Sequence, residues 1–73
     1  MNITQTAAKL ERDARTYRLA SLRVGNPDAE RSAVSAMTSV WRFQSTGNAE
    51  HLEAAQRHLT MAEVQFLTAL DAD

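Results

Sequence analysis

Cysteine is absent from this chain of 73 residues, and glycine occurs only twice, at Gly25 and Gly47. The first absence excludes disulfides and any thiolate metal site. Two histidines, His51 and His58, are too few for a structural metal, so none is expected, nor is any other cofactor. A chain this short buries a modest core, and small folds that lack disulfides and metals are reinforced by oligomerisation. Long apolar runs are missing too. None approaches the ~20 residues a membrane helix requires, so no membrane association is expected. The N-terminal stretch MNITQTAAKLERD meets charge early and has no apolar segment of the signal-peptide kind. With no cysteine, the chain suits a reducing compartment, and a cytoplasmic location is expected. Excess charge is also lacking. A net charge of −1 argues against a general nucleic-acid binder. Lys9 is the single lysine; this Ala- and Arg-rich composition suits a small bacterial or phage protein from a GC-rich genome.

Both glycines are followed by asparagine, and Gly25-Asn26 and Gly47-Asn48 divide the chain into three segments of similar length. Glycine adopts the left-handed conformation that ends a helix without steric cost. Asparagine accepts from the free N–H groups that begin the next helix. Each pair therefore stops one helix and starts another with almost no loop. The expected fold is all-α, a single domain over residues 1–73 arranged as an up-down-up three-helix bundle with two tight Gly-Asn hairpins. Helices are expected over about residues 4–24, 27–45 and 49–70. Pro27 strengthens the second start, because its missing N–H costs nothing at the first helical position.

The apolar positions supply a core. In the first helix Ile3, Ala7, Leu10, Ala14, Tyr17, Ser21 and Val24 recur at alternating steps of four and three, a heptad seam. The second helix turns Ala29, Ala33, Ala36 or Met37, Val40 and Phe43 inward. The third offers Leu52, Ala55, Leu59, Ala62, Phe66 and Ala69. Large residues face small ones across the expected layers, and Leu59 and Phe66 are expected to be almost fully buried. Ser32, Ser35, Thr38 and Ser39 fit a small polar outer face of the second helix.

The seams leave large apolar residues over. At ~100° per residue, Leu19 points away from the first seam and Leu22 lies well off it. Met61 and Val64 occupy the outer side of the third helix. Trp41 and Val34 sit at one edge of the second, where a wide core could absorb them together with Leu67. Several surplus apolar residues on more than one helix suggest a second buried surface. On the first helix Leu19 and Leu22 alternate with Arg12, Arg15 and Arg23, a composition common on surfaces that grip another protein.

Charge is distributed unevenly. Residues 1–25 carry Lys9, Arg12, Arg15, Arg18 and Arg23 against Glu11 and Asp13. Residues 48–73 carry Glu50, Glu53, Glu63, Asp71 and Asp73 against Arg57. Helices one and three should therefore attract each other, either within the bundle or between copies. No catalytic constellation accompanies these features. His51 and His58 are seven apart, not at the spacing of HExxH, and no phosphate-binding glycine loop or GxSxG elbow occurs. The helices are too long and the turns too tight for a helix-turn-helix. The chain is therefore not expected to be an enzyme. The expected function is that of a small protein-binding regulator, adaptor or inhibitor that self-associates, most simply as a homodimer. Its partner-binding residues would be Arg12, Arg15, Leu19, Leu22, Arg23, Trp41, Met61 and Val64. The alternative is a small DNA-associated regulator using Lys9, Arg12, Arg15 and Arg18. A nucleic-acid partner is the weaker expectation, because so few cations support little phosphate binding.

Overall fold

The computed structural model describes residues 2–71. Three helices account for most of them: α1 over Ile3–Val24, α2 over Pro27–Thr46 and α3 over Glu50–Asp71. They run up-down-up in a bundle with extents of 41 × 19 × 16 Å. The helix ends follow from local chemistry. Asn2 caps α1, its Oδ1 accepting from Thr4 N at 2.9 Å. Gly25 takes φ 69° and ψ 44°, and Gly47 takes φ 73° and ψ 6°.

The two Gly-Asn turns nevertheless close differently. At the first, Asn26 N–H reaches back to Ser21 O (2.8 Å) and Gly25 N–H to Leu22 O (3.3 Å), the paired bonds of a Schellman motif. At the second, Gly47 N–H makes a single bond to Phe43 O at 2.7 Å, the simpler left-handed cap. The caps on the following helices differ as well. Asn26 Oδ1 accepts from Ala29 N at 3.1 Å, one residue pair thus serving both helices. Asn48 Oδ1 accepts from Glu50 N at 3.0 Å, and Ala49 intervenes before α3 begins.

α2 is the central element, packing on α1 and α3 more extensively than those two pack on each other. The main core gathers Ala7, Leu10, Ala14, Ala36, Met37, Val40, Ala55 and Leu59, with Tyr17, Phe43 and Leu52 partly buried against it. Alanine dominates the interior. Ala7, Ala14, Ala29, Ala33, Ala36, Ala55 and Ala62 are all at most 2% exposed. Such small side chains let backbones approach closely but bury little area each. The consequence is a thin core whose largest fully enclosed side chains are Val40 and Ser21.

Three expectations need correction. Phe66 is half-buried, not enclosed. It lies edge-on to Tyr17, with ring centroids 5.8 Å apart and planes at 76°, and its other side borders an open hollow with Val24 and Leu70. The serines of α2 do not form an outer polar face. Ser32 and Ser39 are buried, and Ser32 Oγ donates to Gln65 Oε1 of α3 at 2.7 Å. A small hydroxyl fits a close α2–α3 crossing as alanine does, and Gln65 supplies its acceptor. Finally, the seam positions Ile3, Val24 and Ala69 are exposed. They lie at helix ends, where periodicity continues but no neighbouring helix is left to cover them.

Candidate functional site

Leu19, Leu22, Trp41, Met61 and Val64 are all exposed, at 52%, 49%, 46%, 53% and 57%. Val34 and Leu67 remain outside as well, so the core does not absorb them. Among the described residues ten large hydrophobic side chains are exposed, namely these seven with Ile3, Val24 and Leu70. Among the same residues only Leu10, Met37, Val40 and Leu59 are both large and buried. More large apolar side chains therefore face water than fill the core.

Position along the helices sorts these residues. Arg12, Arg15, Leu19 and Leu22 follow at steps of three, four and three, so they form one stripe on α1. Arg12, Arg15 and Leu19 line a shallow groove of about 410 Å³ with Ala8, Glu11 and Gln44, which places this stripe beside α2. Leu22 continues it into the hollow at the first turn, next to Pro27 and Glu30. Trp41 lies three residues before Gln44 and four after Met37, on the α1 side of α2. Val34 is two turns further along the same side. The structure thus brings Arg12, Arg15, Leu19, Leu22, Val34 and Trp41 to one face, formed by α1 and α2. Arg23 lies near its edge. Met61 and Val64 belong to a different surface, on α3.

That second surface continues beyond Val64. Leu67 and Leu70 extend it, and Leu70 meets Val24 of α1 across the open hollow beside Phe66. A period-three run such as Met61, Val64, Leu67 and Leu70 drifts around a helix. Seam counting therefore assigns its members to different faces and misses the continuous band.

A third surface feature is polar. α1 and α3 are separated over half their length by a groove of about 480 Å³ with Leu10 and Leu59 on its floor. Lys9 and Asp13 stand on one rim, and Gln56 and Glu63 on the other. Beside it, burial pushes the Tyr17 phenol above its ordinary value, and the nearby Glu63 and Asp13 carboxylates push it further in the same direction. His51 and His58 are half-buried on α3. Among the described residues no three His, Asp or Glu side chains gather into a metal-binding group, and no helix is long and apolar enough to cross a membrane.

Among the described residues the ion pairs are all local. Arg15 Nη2 lies 2.9 Å from Glu11 Oε1, Arg12 Nε 3.8 Å from Asp13 Oδ1, and Arg31 Nη1 3.8 Å from Asp28 Oδ1. Each joins residues of a single helix. Among the described residues no ion pair connects α1 with α3, so their opposite charges are not satisfied by direct contact within the bundle.

These features define a class: an all-α three-helix bundle with a thin core and apolar outer faces. No protein-family model matches the chain, and neither the curated proteins nor the solved structures provide a match.

Proposed function

We propose that this chain is a protein-binding module, a small regulator, adaptor or inhibitor that acts through its outer apolar surface and carries out no chemistry of its own. The observation that carries the reading is the inverted distribution of large apolar side chains, ten exposed against four buried among the described residues. Single exposed apolar residues are ordinary. Two continuous faces of them on one small bundle are not, and such faces mark surfaces that another macromolecule covers. The α1–α2 face has the residue types that dominate binding energy, an exposed Trp41 and two arginines around Leu19 and Leu22. Arg15 is already oriented by Glu11, so less side-chain freedom is lost when it meets a partner.

The test compares the tagged wild-type protein with Leu19→Glu in extract of its native host. Wild type is expected to retain a stoichiometric companion, either another chain or a second copy. Burying a leucine contributes roughly 1.5–3 kcal/mol, so Leu19→Glu should lose ten- to hundred-fold in affinity while its far-UV circular dichroism is unchanged. A wild-type protein that sediments as a monomer and retains no companion refutes the reading.

A further inference from the structure

We infer that the α1–α2 face is covered by a second copy of this chain, packed about a two-fold axis parallel to the helices, so that α1 of each copy lies antiparallel against α2 of the other. This rests on the protein-binding reading above and identifies a partner for it. Both helices carry a second seam beside the one that packs in the core. On α1, Ala8, Arg12, Arg15, Leu19 and Leu22 follow at steps of four, three, four and three, and all of them are exposed. On α2, Glu30, Val34, Met37, Trp41 and Gln44 repeat the same steps. Val34, Trp41 and Gln44 are exposed, Glu30 is half-buried, and Met37 belongs to the core. Such a spacing is that of a heptad seam, which packs against another helix.

The levels of the two helices are fixed at both ends of this face. Gln44 lines a groove with Ala8, Glu11 and Arg12, and Glu30 lines the hollow at the first turn with Ser21 and Leu22. α1 and α2 run antiparallel, and both rise ~1.5 Å per residue, so the positions between follow. Trp41 stands near the level of Arg12, Met37 near that of Arg15, and Val34 near that of Leu19. A two-fold axis parallel to the helices keeps every level and exchanges α1 for α2. It therefore sets Leu19 against Val34 of the other copy and Arg12 against its Trp41. A guanidinium over an indole face is a favourable cation–π contact, and the small Ala8, one turn from Arg12, leaves room for the ring.

Charge selects this axis. The α1 seam contains arginines and no acid, and the α2 seam contains Glu30 and no cation. Arg23 follows Leu22 at the edge of the face, at the level of Glu30, and neither Arg23 nor Glu30 has an ion-pair partner among the described residues. Across the parallel axis Arg23 of each copy meets Glu30 of the other. An axis across the bundle would lay α1 on α1 and α2 on α2. Centred on the face, it would oppose Arg15 to its own counterpart, set Arg12 on Leu19 and leave Glu30 opposite Gln44. The area is sufficient: a full side of the bundle, 41 × 19 Å, offers on the order of 800 Å², what a standard interface takes from each partner.

The experiment measures sedimentation at about 100 µM, well above the ~1 µM of a moderate interface, and circular dichroism checks that each variant keeps its helices. Wild type is expected to be a dimer. Trp41→Ala should dissociate about tenfold more readily or worse, as for a central aromatic anchor. Arg23→Glu and Glu30→Lys should each dissociate about tenfold more readily alone, because both symmetry-related contacts then oppose like charges. Mixing these two chains should restore the dimer, since both contacts regain opposite signs. The lack of native cysteine allows a direct check of the arrangement. Leu19→Cys and Val34→Cys chains, mixed under mild oxidation, should form the mixed disulfide in excess over either symmetric one. A monomeric wild type overturns this pairing, while the protein-binding reading survives if another chain is retained from extract. A dimer unaffected by Trp41→Ala and by both charge reversals, or a mixed disulfide no more abundant than the symmetric ones, overturns the α1-to-α2 arrangement.

Discussion

The two Gly-Asn turns allow a test in which one residue type is replaced in two settings. Asn26 Oδ1 accepts from the N–H of Ala29, a residue with no exposed surface, while its Nδ2 donates to Gln65 O of α3 at 3.2 Å. Asn48 Oδ1 accepts only from Glu50 N, in the open. Asn26→Ala removes a cap worth about 1 kcal/mol and an interhelix bond worth about 0.5–1.5 kcal/mol net. Because the N–H it abandons belongs to a buried residue, the total should lie near 2 kcal/mol. The backbone bond from residue 26 to Ser21 O survives the change. Asn48→Ala should cost about 0.5–1 kcal/mol, the low end for an exposed cap. Asn26→Asp separates the two contributions. It keeps the acceptor and adds a charge that the start of a helix favours. It loses the donor, and it sets a carboxylate beside the Gln65 carbonyl and near Asp28 and Glu30, for a net cost of about 1 kcal/mol. For a domain of this size each kcal/mol corresponds to roughly 4–8 °C in Tm. Urea unfolding followed by circular dichroism should therefore rank Asn26→Ala as the most costly, then Asn26→Asp, then Asn48→Ala. If Asn48→Ala cost as much as Asn26→Ala, the link from the first turn to α3 would contribute nothing, and the reasoning from burial would be wrong.

Other substitutions probe the core. Leu59, 3% exposed, is among the few large residues inside, so Leu59→Ala should cost roughly 2–5 kcal/mol and leave the chain largely unfolded at 37 °C; a Tm within a few degrees of wild type would contradict its place in the core. Ser21 is fully enclosed and its Oγ has no hydrogen-bond partner, so Ser21→Ala should stabilise the fold by about 1 kcal/mol, and a destabilised variant would reveal a partner for the hydroxyl. The raised Tyr17 pKa means the folded chain holds the phenolic proton more tightly than the unfolded chain does. That contribution to stability is complete below the ordinary tyrosine value and is lost as pH rises through the folded value. Tyr17→Phe should accordingly weaken the fall in Tm above about pH 10, and an identical alkaline profile for the two proteins would refute the effect of burial and of Glu63 and Asp13.

The architecture was legible in the sequence because its determinants are local. A glycine that must take positive φ and an asparagine that must cap act within a few residues, and Gly25-Asn26 and Gly47-Asn48 do both. The middle of each seam was legible too, since Leu10, Ala14, Val40, Ala55 and Leu59 are all buried. What the pattern could not convey is where a seam ceases to have a neighbour. Val24 and Phe66 continue the periodicity of residues that are enclosed, yet one is exposed and the other half-buried, because both border an open hollow at that end of the bundle. The Ser32–Gln65–Asn26 contacts were hidden for a different reason. They join residues more than thirty positions apart through polar atoms, and no hydrophobic period marks them.

The same limit bears on the outer surface, where it becomes informative. A seam counts apolar positions without regard to what covers them, so the sequence assigns Leu19, Met61 and Val64 to outer faces only by their angle from the core. The structure adds that the core has no use for them. Seven alanines fill most of the interior, and they hold the helices too close together for further large side chains to enter. Replacing several of these alanines by leucine would widen the bundle, and rotating a helix could then draw Leu19 or Val64 inward. As it stands, the interior is small and the apolar residues left outside are large. Such a composition is costly for a chain that remains alone in water, and it is the arrangement expected of one half of an interface. Stability should therefore depend on concentration. If the second copy covers Leu19 and Val34, Tm should rise with protein concentration by mass action for wild type and not for Leu19→Glu. A Tm that is independent of concentration in both would place these leucines and valines permanently in solvent, and the surplus would need another explanation.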